Sequence, residues 1–101
     1  MQEENVESLI IDLMKIVISE DLFATNRSVG LMAKKLVSYE NNIKSNPKNQ
    51  PSGVDINVFS RLVSNNDVKE ILIKINSIEK SFNSSFSDEK LQDLAKKVLE
   101  N

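Results

Sequence analysis

Acidic side chains and serines are the groups through which this chain could do chemistry, because its 101 residues include no histidine and no cysteine. Histidine is the usual proton shuttle near neutral pH, and cysteine is the most readily activated nucleophile. Asp88 and Glu89 are adjacent and could in principle act as an acid–base pair. They also follow Ser87 at a predicted helix start, where the helix dipole stabilises negative charge. The helix start explains the pair, and we predict no catalytic residue.

Metal or cofactor binding would have to depend on carboxylates and glycines, and neither has the spacing that such sites need. Glu3, Glu4 and Glu7 form an acidic cluster, but it lacks the oxygen-rich loop with a sharp-turn glycine that calcium sites use. Gly30 and Gly53 are too far apart to build a phosphate-binding loop or a dinucleotide fingerprint. We therefore predict a protein that is not an enzyme and that holds no metal and no cofactor.

Charge and composition are typical of a small soluble domain. The net charge is −2 and the pI is near 5.1, whereas a dedicated nucleic-acid-binding protein normally has a basic excess. The longest apolar stretches, such as Leu9–Leu13, are interrupted by charge well short of the roughly 20 residues that a membrane span needs. The acidic start also differs from the basic start of a signal peptide. We expect residues 1–101 to form a single cytoplasmic domain with no transmembrane segment and no nucleic-acid partner.

Apolar residues recur at helical spacing in the first half of the chain. The spacing predicts a first helix over about residues 3–19, with a second apolar stripe beside the main one, formed by Ile11, Met14 and Ile18. Two stripes require cover on two sides, from neighbouring helices or from a partner. A second helix is predicted from Thr25 or Asn26 to about Lys44, followed by a loop over residues 45–53 that contains both prolines. We expect Leu22 and Phe23, in the short connection between the first and second helices, to plug the end of the bundle.

The second half of the chain predicts three further helices. Asp55 can cap a short third helix. Residues 64–67 are predicted to interrupt the helix before the fourth one begins, because in one continuous helix the two apolar faces would point roughly 170° apart. The fourth helix is expected to begin near Val68, with Asp67 and Glu70 spaced as a capping box. Its apolar face is predicted to consist of Val68, Ile71, Leu72, Ile75, Ile78 and Phe82. Ser87 begins the last helix. The predicted fold is therefore all-α, an antiparallel four-helix bundle with a short extra helix before the third main helix.

Ile73 is an apolar residue on the polar side of its predicted helix, about 170° from the centre of the apolar stripe. Lys69 and Lys80 are among its polar neighbours on that side. Ile73 can be a second packing contact, or it can be an anchor in a contact surface with a charged rim. Arg61 can donate a bidentate contact to a partner or pair with an acid inside the fold.

Several segments of the chain share their order and character with a known family. They are Glu7–Leu13 (ESLIIDL), Lys35–Glu40 (KLVSYE) before a polar loop, Phe59–Val63 (FSRLV) and Phe86–Leu91 (FSDEKL). Phe59–Val63 resembles the "x-x-R-L-V" segment of that family. Phe86–Leu91 resembles the "L-S-E-E-Q-x" sequence with which the family's last helix begins. In these features the chain resembles the small immunity proteins that protect lactic acid bacteria and streptococci from pediocin-like (class IIa) bacteriocins.

The resemblance implies an antiparallel four-helix bundle that catalyses no reaction. It implies a protein that binds the mannose phosphotransferase permease from the cytoplasmic face of the membrane, after a bacteriocin has engaged it, and so blocks the lethal pore. The family places recognition in the C-terminal half, and the candidate partner-binding residues are accordingly Arg61, Lys69, Ile73, Lys80, Lys96 and Lys97. The last two also have a simpler interpretation as a solvated helix face.

The alternative prediction is a small helical adaptor or regulatory protein that binds a soluble partner or a second copy of itself. The second stripe of the first helix would then be the dimer contact. The sequence leaves the oligomeric state open.

Overall fold

The computed structural model describes residues 5–42 and 53–100, and every regular element within these two ranges is an α-helix. In chain order the helices are α1 (Val6–Glu20), α2 (Asn26–Asn42), α3 (Ile56–Val63), α4 (Asn66–Ile78), the single turn α5 (Phe82–Ser85) and α6 (Asp88–Glu100). The prediction of an all-α fold is confirmed for this part of the chain. The predicted end of the second helix near Lys44, and the loop that follows it as far as residue 52, lie outside the described residues.

Short polar side chains begin the helices, as an N-cap requires. Thr25 and Ser28 cap α2 reciprocally, since the Ser28 N–H donates to Thr25 Oγ1 at 3.1 Å and the Thr25 N–H donates to Ser28 Oγ at 2.8 Å. Asp55 accepts two backbone N–H groups at the start of α3, and Ser87 accepts the Lys90 N–H at the start of α6. These predicted caps are confirmed.

The predicted cap of α4 is wrong by two residues. Asn65, and not Asp67, accepts the first free N–H groups, those of Asp67 at 2.8 Å and Val68 at 3.2 Å. Asp67 instead lies in the first turn, where its charge suits the helix dipole. The predicted break between the third and fourth helices is confirmed, because α3 ends at Val63 and α4 begins at Asn66.

Helix α4 ends at Ile78, short of the predicted end near Phe82. Glu79 has an extended backbone, and its carboxylate accepts the Ser81 N–H at 3.0 Å and the Ser85 hydroxyl at 3.1 Å. The carboxylate therefore satisfies the Ser81 N–H, which a continuous helix would have paired internally. Phe82 is still buried, but it belongs to α5, and Ile78 is 51% exposed although its spacing predicted burial.

One apolar cluster holds the helices together, and α2 against α6 is the most extensive contact. A Cβ atom added at Gly30 would lie 3.2 Å from the Gln92 backbone nitrogen, so glycine permits the close approach of these two helices. Four residues further along α2, Lys34 Nζ lies 2.6 Å from Asp88 Oδ1. Residue numbers fall on α6 as they rise on α2, so the two helices run in opposite directions. Helix α1 packs chiefly on α4 and also contacts α2, α3 and α6.

Both apolar stripes of α1 are covered within the chain. Met14 is fully buried, while Ile11 and Ile18 are half-buried and pack against the core. The expectation that this helix is covered on two sides is confirmed, and its neighbours in the fold provide the cover. Of the three residues in the second stripe, Ile11 and Ile18 remain partly exposed.

Leu22 and Phe23 do not plug the end of the molecule, and that prediction is wrong. Their side chains are 92% and 87% exposed. The Phe23 N–H donates to Asp21 Oδ1 at 3.0 Å, which closes a turn directly after α1. Ala24, the next residue, packs against the core in their place. The turn therefore presents two large apolar side chains to solvent.

Candidate protein-contact site

An apolar cavity lies where α2, α3 and α4 meet. It is lined by Tyr39, Val63, Lys69, Leu72 and Ile73 and has a volume of about 210 Å³. We call it the Ile73 cavity. Two of the predicted partner-binding residues, Lys69 and Ile73, are therefore brought together in one concave surface.

Aromatic packing positions the α2 side of the cavity. The rings of Tyr39 and Phe59 meet edge to face, with centroids 5.0 Å apart and an interplanar angle of 73°. Such pairs are favoured by the ring quadrupoles. Phe59 is buried in the core, so the contact fixes the Tyr39 ring and joins α3 to α2. The wall formed by Tyr39 is thus part of the packed fold.

Helix α4 supplies the other wall and the charged rim. Leu72 is buried, whereas its neighbour Ile73 is 56% exposed, so the two residues form the inner and outer parts of the same wall. The Asn65 cap begins α4 one turn before the exposed Lys69, and the Lys69 N–H donates to the Asn65 carbonyl at 3.0 Å. An apolar cavity bordered by a lysine side chain suits an apolar side chain that has a carboxylate beside it.

Arg61 is committed to the fold. Its Nε lies 3.1 Å from Glu20 Oε2, and its Nη2 lies 3.3 Å from the Glu20 carbonyl oxygen. The guanidinium therefore pairs with an acid and also satisfies a carbonyl in the last turn of α1, where helices leave acceptors free. Of the two interpretations of Arg61, pairing inside the fold is the one observed.

The remaining predicted residues lie elsewhere on the surface. Lys80 is exposed in the turn between α4 and α5, and Lys96 and Lys97 are exposed on α6. None of the three lines the Ile73 cavity. The sequence also did not single out Tyr39, Val63 and Leu72, because each belongs to the apolar face of a different helix and only packing brings them together.

A larger and more open cavity of about 450 Å³ lies at the start of α1. Several of its polar side chains already serve the local structure. Asn5 caps α1, Glu79 accepts the Ser85 hydroxyl, and the Lys90 ammonium lies 4.5 Å from the centre of the Phe86 ring. Unlike the Ile73 cavity, it is lined by no large apolar side chain that is more than half exposed.

Within residues 5–42 and 53–100, no group of three or more acidic side chains could hold a metal ion. Glu3 and Glu4 of the predicted acidic cluster lie outside those ranges. No helix in the same residues combines the length and apolar character needed to cross a membrane.

No family model, no curated protein and no solved structure matches this chain. A function therefore has to be inferred from the surface of the chain and from the sequence resemblance described above.

Proposed function

We propose that this chain is a non-catalytic immunity protein that protects its cell from a pediocin-like bacteriocin. In this proposal it acts in the cytoplasm and binds the mannose phosphotransferase permease once the bacteriocin has engaged it. The observation that supports a binding function is the Ile73 cavity, where an exposed isoleucine and a lysine border an apolar surface. The resemblance of the four sequence segments supplies the identity of the partner.

The proposed fold is the antiparallel four-helix bundle that the resemblance implies. Helices α1, α2, α4 and α6 would be its main helices, and α3 the short extra one before the third. The opposite directions of α2 and α6, and the packing of α1 on the other three main helices, support this assignment. The cavity then lies beside the short extra helix, in the half of the chain where the family places recognition.

Contact with the partner is proposed to centre on Ile73 and Lys69. An apolar side chain of the partner would enter the cavity, and a neighbouring carboxylate would approach the Lys69 ammonium. Arg61 is assigned a supporting role, because its pair with Glu20 holds α3, and with it Val63, at the cavity wall. Lys80, Lys96 and Lys97 are proposed only as outlying contacts, since they lie away from the cavity.

Expression in a bacteriocin-sensitive strain tests the proposal. The natural chain is expected to protect against at least one member of a panel of class IIa bacteriocins. Ile73→Asp should abolish that protection, because it places a charge in the apolar wall. Ile78→Asp is the matched control, since Ile78 is similarly exposed at 51% but lies outside the cavity. Circular dichroism and immunoblotting would verify that both variants fold and accumulate. Unchanged killing by every bacteriocin in the panel would refute the function.

A small helical adaptor or regulatory protein is the second candidate, and the same cavity supports it. A cavity of this kind accepts any protein segment that offers an apolar side chain beside an acid. The two candidates differ in where the bound partner resides. Ile73-dependent recovery of a soluble protein, together with no protection in the bacteriocin panel, would favour the adaptor.

A further inference from the structure

Leu22 and Phe23 have the two most exposed large apolar side chains in the described part of the chain. We call this pair the Leu22–Phe23 knob. The knob is held in place on both sides, since Asp21 Oδ1 accepts the Phe23 N–H and Arg61 binds the last residue of α1. An ordered apolar projection loses little conformational entropy on binding. Adjacent exposed Leu and Phe side chains are also costly to leave in water, so they mark a contact surface.

We infer that the Leu22–Phe23 knob of one copy enters the Ile73 cavity of a second copy, which makes the protein a weak symmetric homodimer. Size supports the match. The cavity measures about 210 Å³, and an apolar cavity of about 150 Å³ is enough to bind benzene. A phenylalanine side chain is a benzene ring with one methylene group. Phe23 of the same chain does not occupy the cavity, because it is 87% exposed.

Charge supports the same match. Asp21 directly precedes the knob, and Lys69 lies on the rim of the cavity. Insertion of Phe23 would bring the Asp21 carboxylate of one copy toward the Lys69 ammonium of the other. Opposite charges at the edge of an apolar contact set its orientation and disfavour other arrangements.

A knob that enters a cavity elsewhere on the molecule forms an open chain unless two reciprocal contacts close it. Helix α3 connects the two features here, since Arg61 binds Glu20 next to the knob and Val63 lines the cavity. In the proposed dimer, two copies face each other across α3 and both contacts form about one twofold axis. A buried phenylalanine covers about 150–250 Å², so two of them account for roughly 300–500 Å². The cavity walls that they cover bring the total buried area to roughly 600–1,000 Å², at or below the lower limit for a specific interface. A reversible dimer is the expected result.

Mass measurement over a concentration series tests the inference, which does not rest on the proposed immunity function. By sedimentation equilibrium, the average mass of the natural chain should rise from 11.4 kDa toward twice that value as the concentration approaches about 1 mM. Phe23→Ser and Ile73→Asp should each raise the dissociation constant by about tenfold or more. Ile78→Ser is the control and should leave it unchanged. A monomer at every concentration, or a dimer that both test variants leave intact, would overturn the inference.

Disulfide cross-linking tests the geometry of the proposed dimer. The natural chain contains no cysteine, so every disulfide formed must involve an introduced cysteine. Asp21→Cys and Lys69→Cys keep Leu22, Phe23 and the apolar walls of the cavity, although Asp21→Cys removes the acceptor of the Phe23 N–H. A mixture of the two variants should form a disulfide-linked heterodimer under mild oxidation, whereas each variant alone should remain largely uncoupled. Preferential coupling of Asp21→Cys with itself would mean that two knobs meet each other, and would contradict the proposed arrangement. Phe23→Ser leaves the cavity intact, so loss of pairing can be separated from loss of protection.

Discussion

Arg61 donates hydrogen bonds to both the side chain and the backbone carbonyl of Glu20, at 3.1 and 3.3 Å, and so joins α3 to the last residue of α1. The two side chains are partly exposed, at 54% and 35%. Water therefore screens the charge pair, and its contribution to folding is small. What the pair provides is position, because it fixes the short helix that lies between the knob and the cavity.

Arg61→Lys is expected to lower the free energy of unfolding by less than about 1 kcal/mol, the usual limit for an exposed pair. Lysine keeps the charge but lacks the planar fork that reaches both oxygen atoms of Glu20. Urea denaturation followed by circular dichroism measures the change. Glu20→Gln, which removes the charge of the other partner, should give a loss of similar size. A loss above about 3 kcal/mol for either variant would show a buried pair and contradict the observed exposure.

Asn65→Ala is expected to destabilise the protein by about 1 kcal/mol, since it removes the side chain that accepts two backbone N–H groups at the start of α4. Asp67→Ala should cost less, about 0.3–1 kcal/mol, because Asp67 contributes only through the helix dipole. Urea midpoints of the two variants give the comparison. The reverse order would restore the capping box that the sequence predicted at Asp67.

The difference between Asn65 and Asp67 illustrates what the sequence can determine. Helix periodicity predicts the presence of α3 and α4 and the break between them correctly, because the apolar stripe of each helix repeats several times and a single residue cannot obscure it. A cap depends on one side chain, and Asn65, Asn66 and Asp67 are all capable of the role. Only the backbone geometry, extended at Asn65, selects among them.

The candidate site was less predictable than the fold for a related reason. Ile73 could be identified, since one apolar residue on a polar face stands out in the pattern. Tyr39 and Val63 could not, because their spacing is that of ordinary core residues and the cavity appears only when three helices meet. Leu22 and Phe23 were wrongly predicted to be buried, because large apolar side chains usually belong to a core. The turn at Asp21 directs them outward instead.

Gly30→Ala is expected to lower the free energy of unfolding by about 1 kcal/mol, although alanine is the better helix former by about the same amount. The added methyl group would lie 3.2 Å from the Gln92 backbone nitrogen and 3.4 Å from the Leu91 carbonyl carbon. Both are backbone atoms of α6, so the helix itself would have to move. Gly30→Val, with more atoms at the same contact, should cost more. If Gly30→Ala raised the urea midpoint, the approach of α2 to α6 would be looser than these distances indicate.

Leu72 and Ile73 are adjacent on α4 and form a matched pair for separating the fold from the candidate site. Leu72 is 2% exposed, so Leu72→Ala should lower the free energy of unfolding by about 2–5 kcal/mol, as cavity-forming core substitutions do. Ile73 is 56% exposed, and Ile73→Ala should change it by no more than about 0.5 kcal/mol. Thermal and urea denaturation of the two variants measure both values. If Ile73→Ala is as stable as the natural chain, any loss of protection or self-association in that variant can be assigned to a lost contact. An Ile73→Ala variant as unstable as Leu72→Ala would instead make Ile73 a core residue and would remove it from the candidate site.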